Sequence, residues 1–328
     1  MYQMMSLPLY SGTLGEYNSW RDLGQELERL GCDGIEGVWG GEDLPKDLPA
    51  ELILGYHLIF YPDWLDFYRD DRAALKQKFG SLEVTASFYG GLGPDTLLEQ
   101  YRADLRRAVN LGARYVVFHV SDVSLEEGYT YRWLPTNQEV IDAAVEVVNL
   151  ILGEERWPFE FLVENQWWPG FTFTEPEETA RLLEGIRFAG KGILLDTGHL
   201  MNACTELKTE AEGADYIRSM LNRHGSLAKW VRGVHLHQSL SGAYVKAHTG
   251  SLPAGLPEDY MERFGVSYQH ILQIDQHRPW TDPAILSVLE QIEPRYLTHE
   301  LSSRGRMARA EAVSVQTRLL QQGGRMRV

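Results

Sequence analysis

Short apolar runs, each followed by a polar loop and an amphipathic helical stretch, recur along almost the whole chain. Arg114 to Val120 (RYVVFHV), Phe159 to Glu164 (FEFLVE) and Gly192 to Asp196 (GILLD) are the clearest. They are too short for helices and too continuously apolar for an exposed edge, which is how strands buried on both faces of a parallel sheet read. Comparable runs at Leu7 to Tyr10, Gly34 to Trp39, Leu52 to Leu58, Val231 to His235 and Tyr296 to Glu300 bring the count to eight. Eight strands alternating with helices predict an α/β protein, a closed (β/α)8 TIM barrel with extended loops at its C-terminal face. A doubly wound open sheet is the alternative, but no GxGxxG turn or P-loop marks a nucleotide crevice.

Boundary signals place the intervening helices. Thr136 with Glu139, and Thr174 with Glu177, have capping-box spacing, and Gly112 and Gly153 sit where a helix end wants a left-handed residue. Leu97, Leu98, Tyr101, Leu105, Ala108 and Val109 form a helical stripe that packs on the sheet. Gly90, Gly91 and Gly93 precede this helix and are read as a turn in preference to a phosphate cradle.

Length and charge narrow the function. One barrel accounts for residues 1–328 as a single domain, and 44% hydrophobic residues suffice for a large core. Cys32 and Cys204 are the only cysteines, too few for a disulfide scaffold or a cysteine zinc cluster, and both read as small buried apolar residues. With no basic-then-apolar leader and no run of roughly 20 apolar residues, the expectation is a cytoplasmic protein with no membrane partner. A formal charge of −15 disfavours nucleic acid, whose binding draws on basic side chains, and favours a small-molecule substrate.

Catalytic groups of a barrel lie where its strands end, and here the strand ends are rich in metal-ligand types. His57 closes one run, His119 another, then come Glu164, Asp196, His235 and Glu300. A lone histidine beside apolar residues is most often a satisfied core residue. Three carboxylates directly after apolar strands are different, since burial of each demands a partner. A shared divalent cation is the simplest one. No GxSxG turn or HExxH helix offers a rival chemistry.

These residues sit in motifs that resemble a family. VENQ at Glu164, LLDTGH from Leu194 to His199, GVHLHQS around His235 and the last strand ending at Glu300 are similar to the xylose-isomerase-like TIM barrels, which include sugar epimerases, inosose dehydratases and zinc-type apurinic endonucleases. By its epimerase branch the resemblance implies one metal on Glu164, Asp196, His235 and Glu300, the two glutamates also exchanging protons with substrate and His199 contacting a substrate oxygen. By its endonuclease branch it implies further ligands, with His57, His119, His199 and His248 at matching positions. One position departs: Lys246 stands two residues before His248 where that branch has Asp, so the ammonium is expected to replace a third cation beside substrate. The ligand set suits Mn2+ or Zn2+, with Co2+ or Fe2+ possible, as one or two ions.

Aromatic residues crowd the expected top loops: Tyr61 and Trp64; Tyr129, Tyr131 and Trp133; Trp167, Trp168, Phe171 and Phe173. They form either a substrate mouth, with Trp168 on the substrate, or loop packing and a homo-oligomer interface. The function expected first is a metal-dependent sugar or sugar-phosphate isomerase or epimerase working through an enediolate. The alternative is a two-metal hydrolase of a larger ester, amide (such as a corrinoid amide) or phosphodiester. A barrel that only binds ligand ranks third.

Overall fold

A computed structural model describes residues 1–323. Eight parallel strands, β1 (Tyr2–Leu9), β2 (Gly34–Trp39), β3 (Ile53–His57), β4 (Tyr115–His119), β5 (Glu160–Glu164), β6 (Lys191–Asp196), β7 (Val231–His235) and β8 (Tyr296–His299), pair in sequence order and close into a barrel. Closure comes from β1, which pairs with β2 from Met4 to Leu9 and with β8 from Tyr2 to Met5. That double pairing explains why β1 starts five residues earlier than its apolar run suggested: Tyr2 and Gln3 are recruited by the β8 edge, whatever their own hydrophobicity.

Helices between the strands follow the expected signals with one exception. Thr136 and Glu139 form a reciprocal capping box on the helix Asn137–Leu152. Thr174 and Glu177 do not; the helix Pro176–Gly185 is entered through Glu175, with Pro176 in its first turn. A proline there supplies fixed φ and no orphan N–H, so side-chain capping is not needed. Gly112 and Gly153 take φ of 74° and 57°, as their positions after helices require. Cys32 is buried as expected, whereas Cys204 is half-buried.

Inside the barrel, Met4, Tyr115, Val117, Leu162, Leu194 and Tyr296 form a small core separate from the large one under the helices. Tyr115 fits because β3 offers Gly55 opposite: a Cβ on Gly55 would lie 2.3 Å from the ring. No described helix is long and apolar enough to cross a membrane.

Candidate metal centre

Strand side chains alternate with period two. The parity that points Leu162 and Leu194 into the barrel therefore carries Glu164 and Asp196 inward at the carboxyl rim, and likewise Gly55 to His57, Val117 to His119 and Gly233 to His235. Three groups of ligand-type side chains result, the members of each offering atoms within 4.8 Å of one another. Glu164, Asp196, His235 and Glu300 make one; His57, His119 and Glu164 the second; His199, His237, Asp275 and His277 the third. Glu164 is shared by two.

The spacings are those of donors facing a common point. His235 Nδ1 lies 2.9 Å from Glu300 Oε2 and 3.6 Å from both Glu164 Oε1 and Asp196 Oδ2. His57 Nε2 and His119 Nε2 are 3.0 Å apart, each 3.3 Å from Glu164 Oε2. Asp275 Oδ2 is 2.6 Å from His277 Nε2 and 3.3 Å from His199 Nε2. Tetrahedral ligands at about 2.1 Å from zinc stand roughly 3.4 Å apart. Among the described residues, Glu164 Oε2, Glu300 Oε2, His235 Nδ1, His237 Nδ1 and Asp275 Oδ1 are also buried with no hydrogen-bond partner. Buried lone pairs in that state are costly, and divalent cations would satisfy them. The residues present thus fit divalent metal ions.

The surrounding motifs explain how the donors are aimed. Asn165 and Asp196 exchange side-chain to backbone hydrogen bonds of 3.0 and 2.8 Å, fastening the end of β5 to that of β6. Asp196 Oδ1 accepts from the His199 backbone N–H at 2.6 Å, and Asp196 Oδ2 lies 2.8 Å from His237 Nε2. Thr197 donates to the carbonyls of His235 and His237. Residue 198 must be glycine, because a Cβ there would lie 2.1 Å from the His237 ring. Burial opposes ionisation of Glu164, but the neighbouring His119 and His235 hold its carboxyl well below the ordinary range. Burial likewise disfavours charge on His277, yet Asp275 and Glu300 raise it to about 9.

Two expected site residues lie elsewhere. Lys246 and His248 belong to a helix, Gly242–His248, inserted after β7. Lys246 is half-exposed and paired with Glu206 at 2.7 Å, while His248 stacks on Tyr244 at 4.3 Å, and neither lines the cavity. The Asp-x-His spacing expected at Lys246 and His248 occurs instead at Asp275 and His277, after a further helix, Tyr260–Ile274. The same spacing in the sequence DQH was the available signal. His237 and Glu36 were also passed over. His199 stands within the third ligand group, a different setting from simple substrate contact.

A cavity of 1400 Å³ opens over the cluster, with His57, His119, His199, Asp275, His277 and Glu300 on its wall. Phe60, Tyr61, Trp168, Phe264 and Tyr268 line the rest. Only part of the expected aromatic mouth takes part: Phe171 and Phe173 are core residues, and Trp64 is buried with its Nε1 donating to the Ser121 carbonyl. Packing claimed these rings because the loops that carry them fold back onto the barrel.

Fold and site together define a barrel with a histidine and carboxylate cluster at its carboxyl rim. The model of the family described as xylose isomerase-like TIM barrel matches residues 25–313, and the chain belongs to that family. Endonuclease IV from Thermus thermophilus is similar in structure, with a TM-score of 0.55 at 16% identity over 98% of this chain and 100% of that one. A D-tagatose 3-epimerase-like protein gives 0.52 at 15% identity over 99% and 98%. Mannonate dehydratase from Streptococcus suis serotype2 gives 0.53 at 14% identity over 99% and 94%. At such identities these likenesses speak for the fold. No curated protein matches the chain.

Proposed function

We propose that the protein is a multi-metal hydrolase of a small-molecule phosphoester, which narrows the substrate and widens the metal count of the two-metal ester, amide or phosphodiester hydrolase that the sequence offers as its alternative. The observation that carries it is the surplus of ligands: beside the four residues a single-ion epimerase would use stand His57 and His119, which share Glu164 with them, and the His199, His237, Asp275 and His277 group. A proton-transfer enzyme has no evident use for them.

Loaded with divalent ions, such a centre would lower the pKa of a water and neutralise charge building on the substrate oxygens. Charge favours a phosphoester over an amide. Glu164, Asp196, Asp275 and Glu300, with Glu36 behind His235, bring five carboxylates, so three divalent ions leave the site one positive, matched to an anionic ester that gains charge on attack. The chain's own part is to orient: Gln166 Nε2 stands 3.0 Å from His199 Nδ1 and 3.5 Å from Glu164 Oε1, on the wall facing substrate. The aromatic lining favours a substrate with a bulky planar or apolar portion, and the charge of −15 argues against a polymeric nucleic acid.

The complete Glu164, Asp196, His235, Glu300 set keeps the epimerase as the second reading. Elemental analysis of protein purified without chelator separates the two. Two or three ions per chain, falling by one in His57→Ala or His119→Ala, together with hydrolysis of bis(p-nitrophenyl) phosphate, is the expected result. One ion, unchanged in both variants, with deuterium exchange into ketoses, would return the epimerase to first place.

A further inference from the structure

The histidines of the cluster differ in what holds the far side of each ring. His57 Nδ1 faces the Leu58 carbonyl at 2.8 Å, His199 Nδ1 the Asn165 carbonyl at 3.1 Å, and His277 Nδ1 the Glu300 carbonyl at 3.1 Å. His237 Nε2 meets Asp196 Oδ2, itself in a ligand group, at 2.8 Å, whereas His235 Nε2 meets a carboxylate outside all three groups, Glu36 Oε1, at 2.8 Å. Glu36 is wholly buried within the barrel, and no Lys or Arg pairs with it among the described residues. Its other oxygen accepts from Tyr115 at 2.6 Å and from Thr298 at 2.9 Å, two hydroxyls themselves 3.0 Å apart. The carboxylate is thus fixed from β4 and β8 and left one free direction, toward the imidazole.

We propose that Glu36 is the positioning residue of the centre, fixing His235 with Nε2–H donated to the carboxylate so that the Nδ1 lone pair faces Glu164, Asp196 and Glu300. This rests on the metal reading of the cluster. A carboxylate behind a ligating imidazole fixes its tautomer and orientation and makes it a stronger donor. A buried carboxylate would otherwise be costly in the barrel interior; here the imidazole N–H and two hydroxyls satisfy it. The orphaned Nδ1 is the other end of the same arrangement. Glu36 touches no substrate cavity, so its effect runs through His235.

The test is the zinc dissociation constant, read by chelator competition, for wild type and Glu36→Gln. The variant keeps the shape and an acceptor but loses the charge. Zinc binding should weaken by about 10- to 100-fold, the usual effect of removing such a partner. In the zinc-loaded, 15N-histidine-labelled protein, the strongly downfield His235 Nε2–H resonance should move upfield. Glu26→Gln, which alters a buried carboxylate bonded to Tyr17 and Arg306 away from the cluster, should lower melting temperature and leave zinc affinity alone. If Glu36→Gln does not fold, Thr298→Val removes one support of the carboxylate and should weaken zinc several-fold. A folded variant of either kind with unchanged affinity and an unmoved resonance overturns the proposal. No zinc uptake by the wild type would bring down the metal reading with it, whereas uptake indifferent to Glu36 would bring down this inference alone.

Discussion

Replacing Gly55 by alanine probes the packing that joins the barrel interior to the candidate metal centre. The added methyl would lie 2.3 Å from Tyr115 Cζ, 2.4 Å from its oxygen and 2.7 Å from Cε1, where carbon–carbon contacts settle at about 3.5–4.0 Å. The ring has little room to withdraw. It is fully buried, stacks on Tyr296 with centroids 4.3 Å apart, and donates its hydroxyl to Glu36. Overpacking of this kind costs about 1–3 kcal/mol. If the ring swings away it also forfeits a hydrogen bond to a charged group, about 1.5–3 kcal/mol more. With both terms at their low ends the cost is about 2.5 kcal/mol, which at roughly 2 °C per kcal/mol for a large domain lowers the melting temperature by about 5 °C, and overpacking alone lowers it by about 2 °C. Circular dichroism melts of chelator-treated protein measure it. Tyr115→Leu in the same chain should return part of the loss, making the double variant milder than the sum of the singles. A Gly55→Ala protein that melts with the wild type would refute the reasoning.

The other predictions concern single sites. Asp275→Asn should lower metal content by one ion per chain with the fold intact by circular dichroism; unchanged content would remove the third ligand group from the centre. Lys246→Ala should leave metal content and melting temperature unchanged, because its partner Glu206 is a solvated surface carboxylate; loss of a metal would show that the ammonium reaches the site. Adding zinc to chelator-treated protein should raise the melting temperature with added concentration, since ions that bind only the folded state stabilise it by mass action; a flat titration would contradict metal binding. Burial pushes the Cys32 thiol up to about 12, so iodoacetamide at pH 8 should leave Cys32 unmodified until urea is added, and rapid native labelling of Cys32 would show that the packing around it is looser than described.

What the sequence determined by itself was whatever is local. Strand runs, their parity and the carboxylates that close them are written within a few residues of one another, so Glu164, Asp196 and His235 were legible as a convergent set once eight strands implied a barrel. The third ligand group was not. Asp275 and His277 follow β7 by about forty residues, across two helices whose return path only tertiary packing decides. Lys246 and His248 stand nearer to β7 along the chain, on the helix that follows it. Glu36 escaped for the opposite reason: it lies inside an apolar strand, where the sequence shows a charge among hydrophobic neighbours but not the imidazole that β7 brings to it across the barrel. Partners that span 199 residues are set by closure of the sheet, and closure is a property of the whole chain.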